Sequence, residues 1–135
     1  MKLLEKNVEL GEKKFKISTD RNIAIQSFEA YPDVIEYIIK NKGNVVGEEE
    51  MFLDAIKNKE LSKLFEINDK LATLVEFVLP LMLKKANDNS NAQEIIEYAK
   101  ENDALEEFNS AIVEFLFLGF TQRGLGKPKI KFSMT

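Results

Sequence analysis

The sequence predicts a mainly α protein, a helical bundle of about six helices with a small N-terminal β-hairpin. Three observations carry this expectation. Residues 69–86 and 103–120 repeat apolar side chains every three to four positions, the period of one helical face. Polar linkers and capping residues punctuate the chain between such stretches. Near the N-terminus, residues 8–17 instead alternate at the strand period. A length of 135 residues suits one domain with a real core. We therefore expect a single helical domain over 1–120, with the hairpin at about 7–18, and a basic C-terminal tail over 121–135.

In the hairpin stretch VELGEKKFKI, Val8 and Leu10 flank Glu9, and Phe15 and Ile17 alternate with Lys14 and Lys16. Gly11-Glu12 is the turn. A lone hairpin is marginal, so this one must pack on helices or pair with another sheet edge. Ser18-Thr19-Asp20 offers caps for a helix beginning near Arg21, with Ala24, Phe28 and Tyr31 as its apolar face. Pro32 suits a first turn and disfavours the helical state in the residue before it. Two helices are therefore expected, 21–30 and 32–42, the second burying Val34, Ile35, Ile38 and Ile39 and stopping at Gly43.

After a loop over 44–47, Glu48, Glu49 and Glu50 open a helix whose apolar face is Met51, Phe52, Ala55 and Ile56. Three acids together could suggest a metal site, but acids in a first turn complement the helix dipole, which is the simpler reading. Leu61, Leu64 and Phe65 continue in a short helix, and Asn68 caps the long one that follows. Leu71, Leu74, Val75, Val78 and Met82 share one face of that helix; Phe77, Leu79, Leu81 and Leu83 widen it. Pro80 removes a hydrogen bond and crowds the carbonyl four residues back, so the helix is either kinked or broken there. NDNSN at 87–91 reads as a linker, and Ser90 with Gln93 as a capping box for a helix to about Glu101. Ile95, Ile96 and Ala99 form its core side; Glu94, Glu97 and Glu101 face out. Asp103 with Glu106 reads as the cap of the last helix, whose stripe is Leu105, Phe108, Ile112, Phe115 and Leu116. Gly124, Gly126 and Pro128 cannot continue it, and KIKF at 129–132 alternates as a short edge strand or an unpaired tail.

Composition removes most enzyme classes. The chain has no cysteine and no histidine, hence no thiolate, no disulfide and no imidazole base or metal ligand. Ser110 and Thr73 lie among apolar helical residues, where a hydroxyl usually bonds its own backbone. The neighbours Glu106 and Glu107 diverge around a helix and cannot share a proton. Gly124-Leu125-Gly126-Lys127 lacks the spacing and the hydroxyl residue of a phosphate loop. No catalytic, cofactor or metal site is expected, and we read the chain as a non-enzyme.

The net charge of −4 argues against a nucleic-acid binder. The apolar runs are too short for a membrane span, and charges fill the place of a signal peptide's apolar stretch, so a cytoplasmic protein is expected. Arg123, Lys127, Lys129 and Lys131 give residues 121–135 a charge of +4, leaving −8 on the rest of the chain. That tail could lie on its own acidic body, contact an acidic partner or stay disordered. Late in the last helix, Phe115, Phe117, Leu118 and Phe120 spread the apolar surface around the helix. Two readings stand: burial in a monomer core, or contact with a partner or a second copy.

The hairpin VELGEKKFKI, the turn-interrupted helix NIAIQSFEAYPDVIEYI and the terminal SAIVEFLFLGF occur in a small acidic chain ending in a basic Gly/Lys/Pro tail. In layout and texture this resembles the tail assembly chaperones of long-tailed bacteriophages, or prophages, of Gram-positive bacteria. The resemblance covers most of the chain and rests on no sharp motif. It implies a non-enzymatic protein that binds the tape measure protein, a very long and largely helical chain. Such chaperones keep that chain soluble until tail-tube subunits polymerise around it, and they tend to self-associate. It also implies a longer form, made by a ribosomal frameshift, through which tail-tube subunits could be met. Slippery codons would lie at Gly126-Lys127 or Lys84-Lys85, and the gene sequence would decide the point. The alternatives are another small phage structural protein, a head–tail connector or tail completion protein, or an acidic regulatory or inhibitor protein.

Overall fold

The structure, a computed structural model, describes residues 4–40, 61–121 and 129–132. Strands β1 (Leu4–Leu10) and β2 (Lys13–Thr19) form the expected hairpin, longer than expected at both ends. Gly11 takes φ 57° at the first of the two loop residues, the glycine position of a type II′ hairpin turn. Pairing of Val8 with Phe15 and of Lys6 with Ile17 puts Leu4, Lys6, Val8, Leu10, Phe15 and Ile17 on one face. All of these except Lys6 are buried. The basic tail contributes a strand: β3 (Lys129–Phe132) pairs in parallel with β1, giving the order β2-β1-β3.

Five helices follow the hairpin among the described residues: α1 (Arg21–Ala30), α2 (Pro32–Lys40), α3 (Leu61–Lys85), α4 (Ala92–Glu101) and α5 (Leu105–Thr121). Asp20 caps α1 by accepting the Ile23 N–H at 3.0 Å, and Pro32 is the first residue of α2, as the sequence predicts. The face of α1 is a correction. Ile23, Ala24 and Ser27 are buried, whereas Phe28 is 46 % exposed. The expected helix opened by Glu48–Glu50 lies outside the described residues.

The short helix at 61–65 and the long one after it are a single helix. Leu61, Leu64, Leu71, Val75, Val78 and Met82 keep one alternating three–four spacing, with Asn68 filling the slot between Leu64 and Leu71. Nothing in that register stops the helix, so Asn68 lies inside it rather than at a cap. Pro80 does not break it either. The carbonyl deprived of its donor belongs to Glu76, and both Glu76 and Pro80 are solvent-exposed, so water can satisfy it.

Two cap assignments also change. Asn87 at φ 57° and Asp103 at φ 54° occupy the left-handed C′ position after α3 and α4. At each, the next residue donates back to the third residue from the helix end: Asp88 N–H to Leu83 O at 2.9 Å and Ala104 N–H to Ala99 O at 2.8 Å. Asp103 therefore terminates α4 instead of capping α5, and Ala104 stands before the first turn of α5. The N-cap of α4 is Asn91, whose side chain accepts the Glu94 N–H at 3.0 Å, one residue later than the expected Ser90. A non-glycine residue in the left-handed region is disfavoured by roughly 1 kcal/mol. Asp103→Gly should therefore raise stability by about that amount, checked as a higher urea midpoint with unchanged slope.

One core joins the layers. Val8, Leu10, Phe15 and Ile17 of the sheet cluster with Leu71, Leu74, Val75 and Met82 of α3 and with Phe108, Ile112, Phe115 and Leu116 of α5. Phe15 and Phe108 meet edge to face, their centroids 6.3 Å apart. Tyr31, between α1 and α2, meets Phe77 of α3 the same way at 5.5 Å. The stripe expected for α3 is buried, Leu71, Leu74, Val75, Val78 and Met82, and so is that of α5 at Phe108, Ile112, Phe115 and Leu116, with Leu105 at its start only partly buried.

Candidate protein-binding surface

The sequence-predicted contact residues do not share one environment. Phe115 is 1 % exposed and belongs to the core. Lys6, on the inner sheet face, lays its Nζ 5.4 Å from the centroid of the Phe115 ring. Burial lowers the pKa of Lys6 and the charge of Glu114 opposes that shift; partial burial raises Glu114, opposed by Lys6. Phe117 and Leu118 are partly buried and pack against the core. Phe120 is in α5, but its side chain lies outside the described residues, as do Arg123 and Lys127. Lys129 and Lys131 are placed on β3.

The largest exposed apolar side chains among the described residues are Ile25, 47 % exposed, and Phe28, 46 % exposed. They lie three residues apart on α1 and so share a face. Ser27 takes a core position because its Oγ donates to the Ile23 carbonyl at 2.9 Å, satisfying the hydroxyl within the helix. Apolar residues at 23, 24, 25 and 28 surround too much of this short helix for one side to bury them all. That crowding was the available signal, and sequence reasoning assigned Phe28 to the core side instead.

Helix α1 also crosses α5, at its own N-terminal end. A Cβ built on Gly119 would stand 3.6 Å from the Ala24 Cβ and 3.0 Å from the Asp20 carbonyl oxygen, so the missing side chain permits the crossing. Phe117 and Leu118 are the two residues before Gly119, and Phe28 is one turn beyond Ala24. The crossing brings Gly119 of α5 against Ala24 and the Asp20 carbonyl at the start of α1, while Phe117 and Leu118 pack partly buried against the core. Beneath it, Ser18 and Thr19 are fully buried.

Two carboxylates lock the frame around the hairpin. Asp20 is buried and pairs with Lys85 at 3.0 Å. Burial alone would raise its pKa, but the Ile23 N–H, the Lys85 ammonium and the Asn22 N–H outweigh burial and hold it below the ordinary carboxylate value. Asp88 accepts the backbone N–H groups of Lys16 and Ser90, each at 2.8 Å. There too burial is outweighed, by hydrogen bonds from Ser90 and Lys16 and by the Lys16 charge, and the pKa is lowered. Stability from these depressed carboxyls is fully present above the unfolded value of about 4 and is lost as pH falls through the lower folded values. The urea midpoint should therefore drop on acidification below about pH 4, and Asp20→Asn with Asp88→Asn should flatten that drop.

No group of three or more His, Cys, Asp or Glu suited to a metal occurs among the described residues. An open trough of about 360 Å³ is lined by Pro80, Leu83, Asn87, Asp88, Ser90 and Ala92 among others. No described helix is long and apolar enough to cross a membrane. No family model, curated protein or solved structure matches the chain.

Proposed function

We propose that this protein is a non-enzymatic binding protein, a tail assembly chaperone that holds a helical segment of the tape measure protein and self-associates. The observation that carries the reading is the exposed Ile25–Phe28 face of α1. An amphipathic client helix presents apolar residues at three- and four-residue spacing, which two apolar side chains one turn apart can engage. The acidic balance of the chain supports solubility while such a surface stays uncovered. The phage assignment itself rests on the layout of the sequence.

The test is a pair of substitutions on the exposed face. Ile25→Asp with Phe28→Asp removes apolar contact area and adds charge. Because both residues are about half exposed, the melting temperature should change little. Capture of a soluble tape measure fragment should weaken by about ten-fold or more, as expected when central apolar anchors are lost. Undiminished capture by a folded double variant would refute this placement of the surface.

A further inference from the structure

Helix α1 arranges its exposed side symmetrically around Ile25. Residues four apart share a helical face, so Arg21, Ile25 and Glu29 form one stripe, with Phe28 on its flank. All four are exposed, Ile25 and Phe28 by about half. Arg21 and Glu29 stand about 6 Å to either side of Ile25 along the axis, four residues at a rise of about 1.5 Å each.

The order of the two charges runs against the electrostatics of the helix that carries them. A helix dipole favours acids at the N-terminus and bases at the C-terminus. In α1 the first residue is Arg21 and the last but one is Glu29, with no acid in the first turn and no base in the last. What is adverse within one helix becomes favourable between two. A second copy laid antiparallel across the stripe meets Ile25 with Ile25 and brings Arg21 of each copy to Phe28 and Glu29 of the other. Each Arg21 then lies at the C-terminal end of the other helix, where a cation is favoured, and each Glu29 at the N-terminal end, where an acid is. A parallel copy would instead set Arg21 against Arg21 and Glu29 against Glu29, and like charges across an interface oppose it. The face is its own complement under a two-fold axis, the symmetry of an isologous contact.

We propose that the Arg21–Ile25–Phe28–Glu29 face of α1 is the contact of a two-fold dimer, in which a second copy of this chain covers the surface that a client would use. The inference rests on reading this face as a binding surface and adds its regulation: client and second copy compete, so the free protein keeps its apolar side chains covered. Two large apolar side chains per copy make a small contact, so the dimer is weak and forms as concentration rises.

The test is sedimentation equilibrium of the full chain from about 10 µM to about 1 mM, the range of a weak contact. The parent should pass from monomer to dimer. Arg21→Glu sets acid against acid and Glu29→Arg base against base, and each should weaken the dimer by about ten-fold. Both substitutions suit the helix dipole, so neither should lower the melting temperature. An equimolar mixture of the two single variants regains opposite charges at both ends and should dimerise as the parent does, and so should the chain carrying both substitutions. A monomer at every concentration, a dimer indifferent to the single variants, or no recovery in the mixture would overturn the proposal. No client enters this experiment, so loss of the dimer leaves client binding standing, and a dimer that forms in a protein unable to capture client would sink the client reading alone.

Discussion

Replacing Phe108 with alanine should cost about 3–5 kcal/mol, the largest effect of any single substitution considered. Phe108 is fully buried in the first half of α5, and its ring meets Phe15 of β2 edge to face at 69° between planes. Truncation removes the apolar area and leaves a cavity between the sheet and the helices, which close packing on several sides prevents from collapsing. The aromatic pair adds about 0.5–1.5 kcal/mol beyond area burial. A domain of this size has roughly 5–15 kcal/mol in all, so Phe108→Ala should lower the urea midpoint sharply and leave the fold marginal. Phe108→Leu, which keeps most of the volume, should cost less than half as much. Equal effects of the two substitutions would show that the cavity does not set the cost.

Gly119→Val should cost about 2–3 kcal/mol by overpacking. Even a single Cβ would stand 3.0 Å from the backbone oxygen of Asp20 and 3.2 Å from Thr19 Oγ1. The Asp20 carbonyl cannot move freely, because it accepts the Ala24 N–H in the first turn of α1. Gly119→Ala gains about 1 kcal/mol of helix propensity but meets the same oxygen, so it should come out near neutral or mildly destabilising. The damage from valine should begin where α5 meets the start of α1. Amide exchange at Ala24 should accelerate in the variant before exchange in the middle of α3 does. Uniform acceleration would contradict a local crossing role for the glycine.

Much of this architecture is legible in the chain. The alternation around Gly11, the proline at the start of α2 and the stripes on α3 and α5 are local patterns backed by burial, and local pattern decides such elements. What was not legible depends on neighbours. Asp103 and Ser90 both carry capping patterns, yet neither is the cap, because Asp103 ends the preceding helix in the left-handed conformation and Asn91 caps α4. Asn68 has a capping side chain but sits where the apolar register of α3 runs on. The linker around Asp88 is a plug on a strand edge, a role fixed by a partner 72 residues away. The partner of KIKF is likewise remote, so sequence could offer only a strand or a loose tail.

The candidate surface was harder still. Apolar residues crowd the end of α5, but periodicity cannot say which of them the core takes, and Phe115 is taken completely. Ile25 and Phe28 stay exposed because α1 buries Ala24 and Ser27 against its neighbours, with Gly119 admitting α5 to the crossing. A small serine that satisfies itself and a glycine one crossing away together turn a phenylalanine outward.

The central claim is client binding, and mass measured by light scattering on a sizing column tests it most directly. The protein would be run alone and after co-expression with a tape measure fragment that is insoluble by itself. The account predicts one soluble species containing both chains, with a mass that fits an integral number of each. A protein that elutes as a single-chain monomer in both runs, with the fragment left in the pellet, would contradict it.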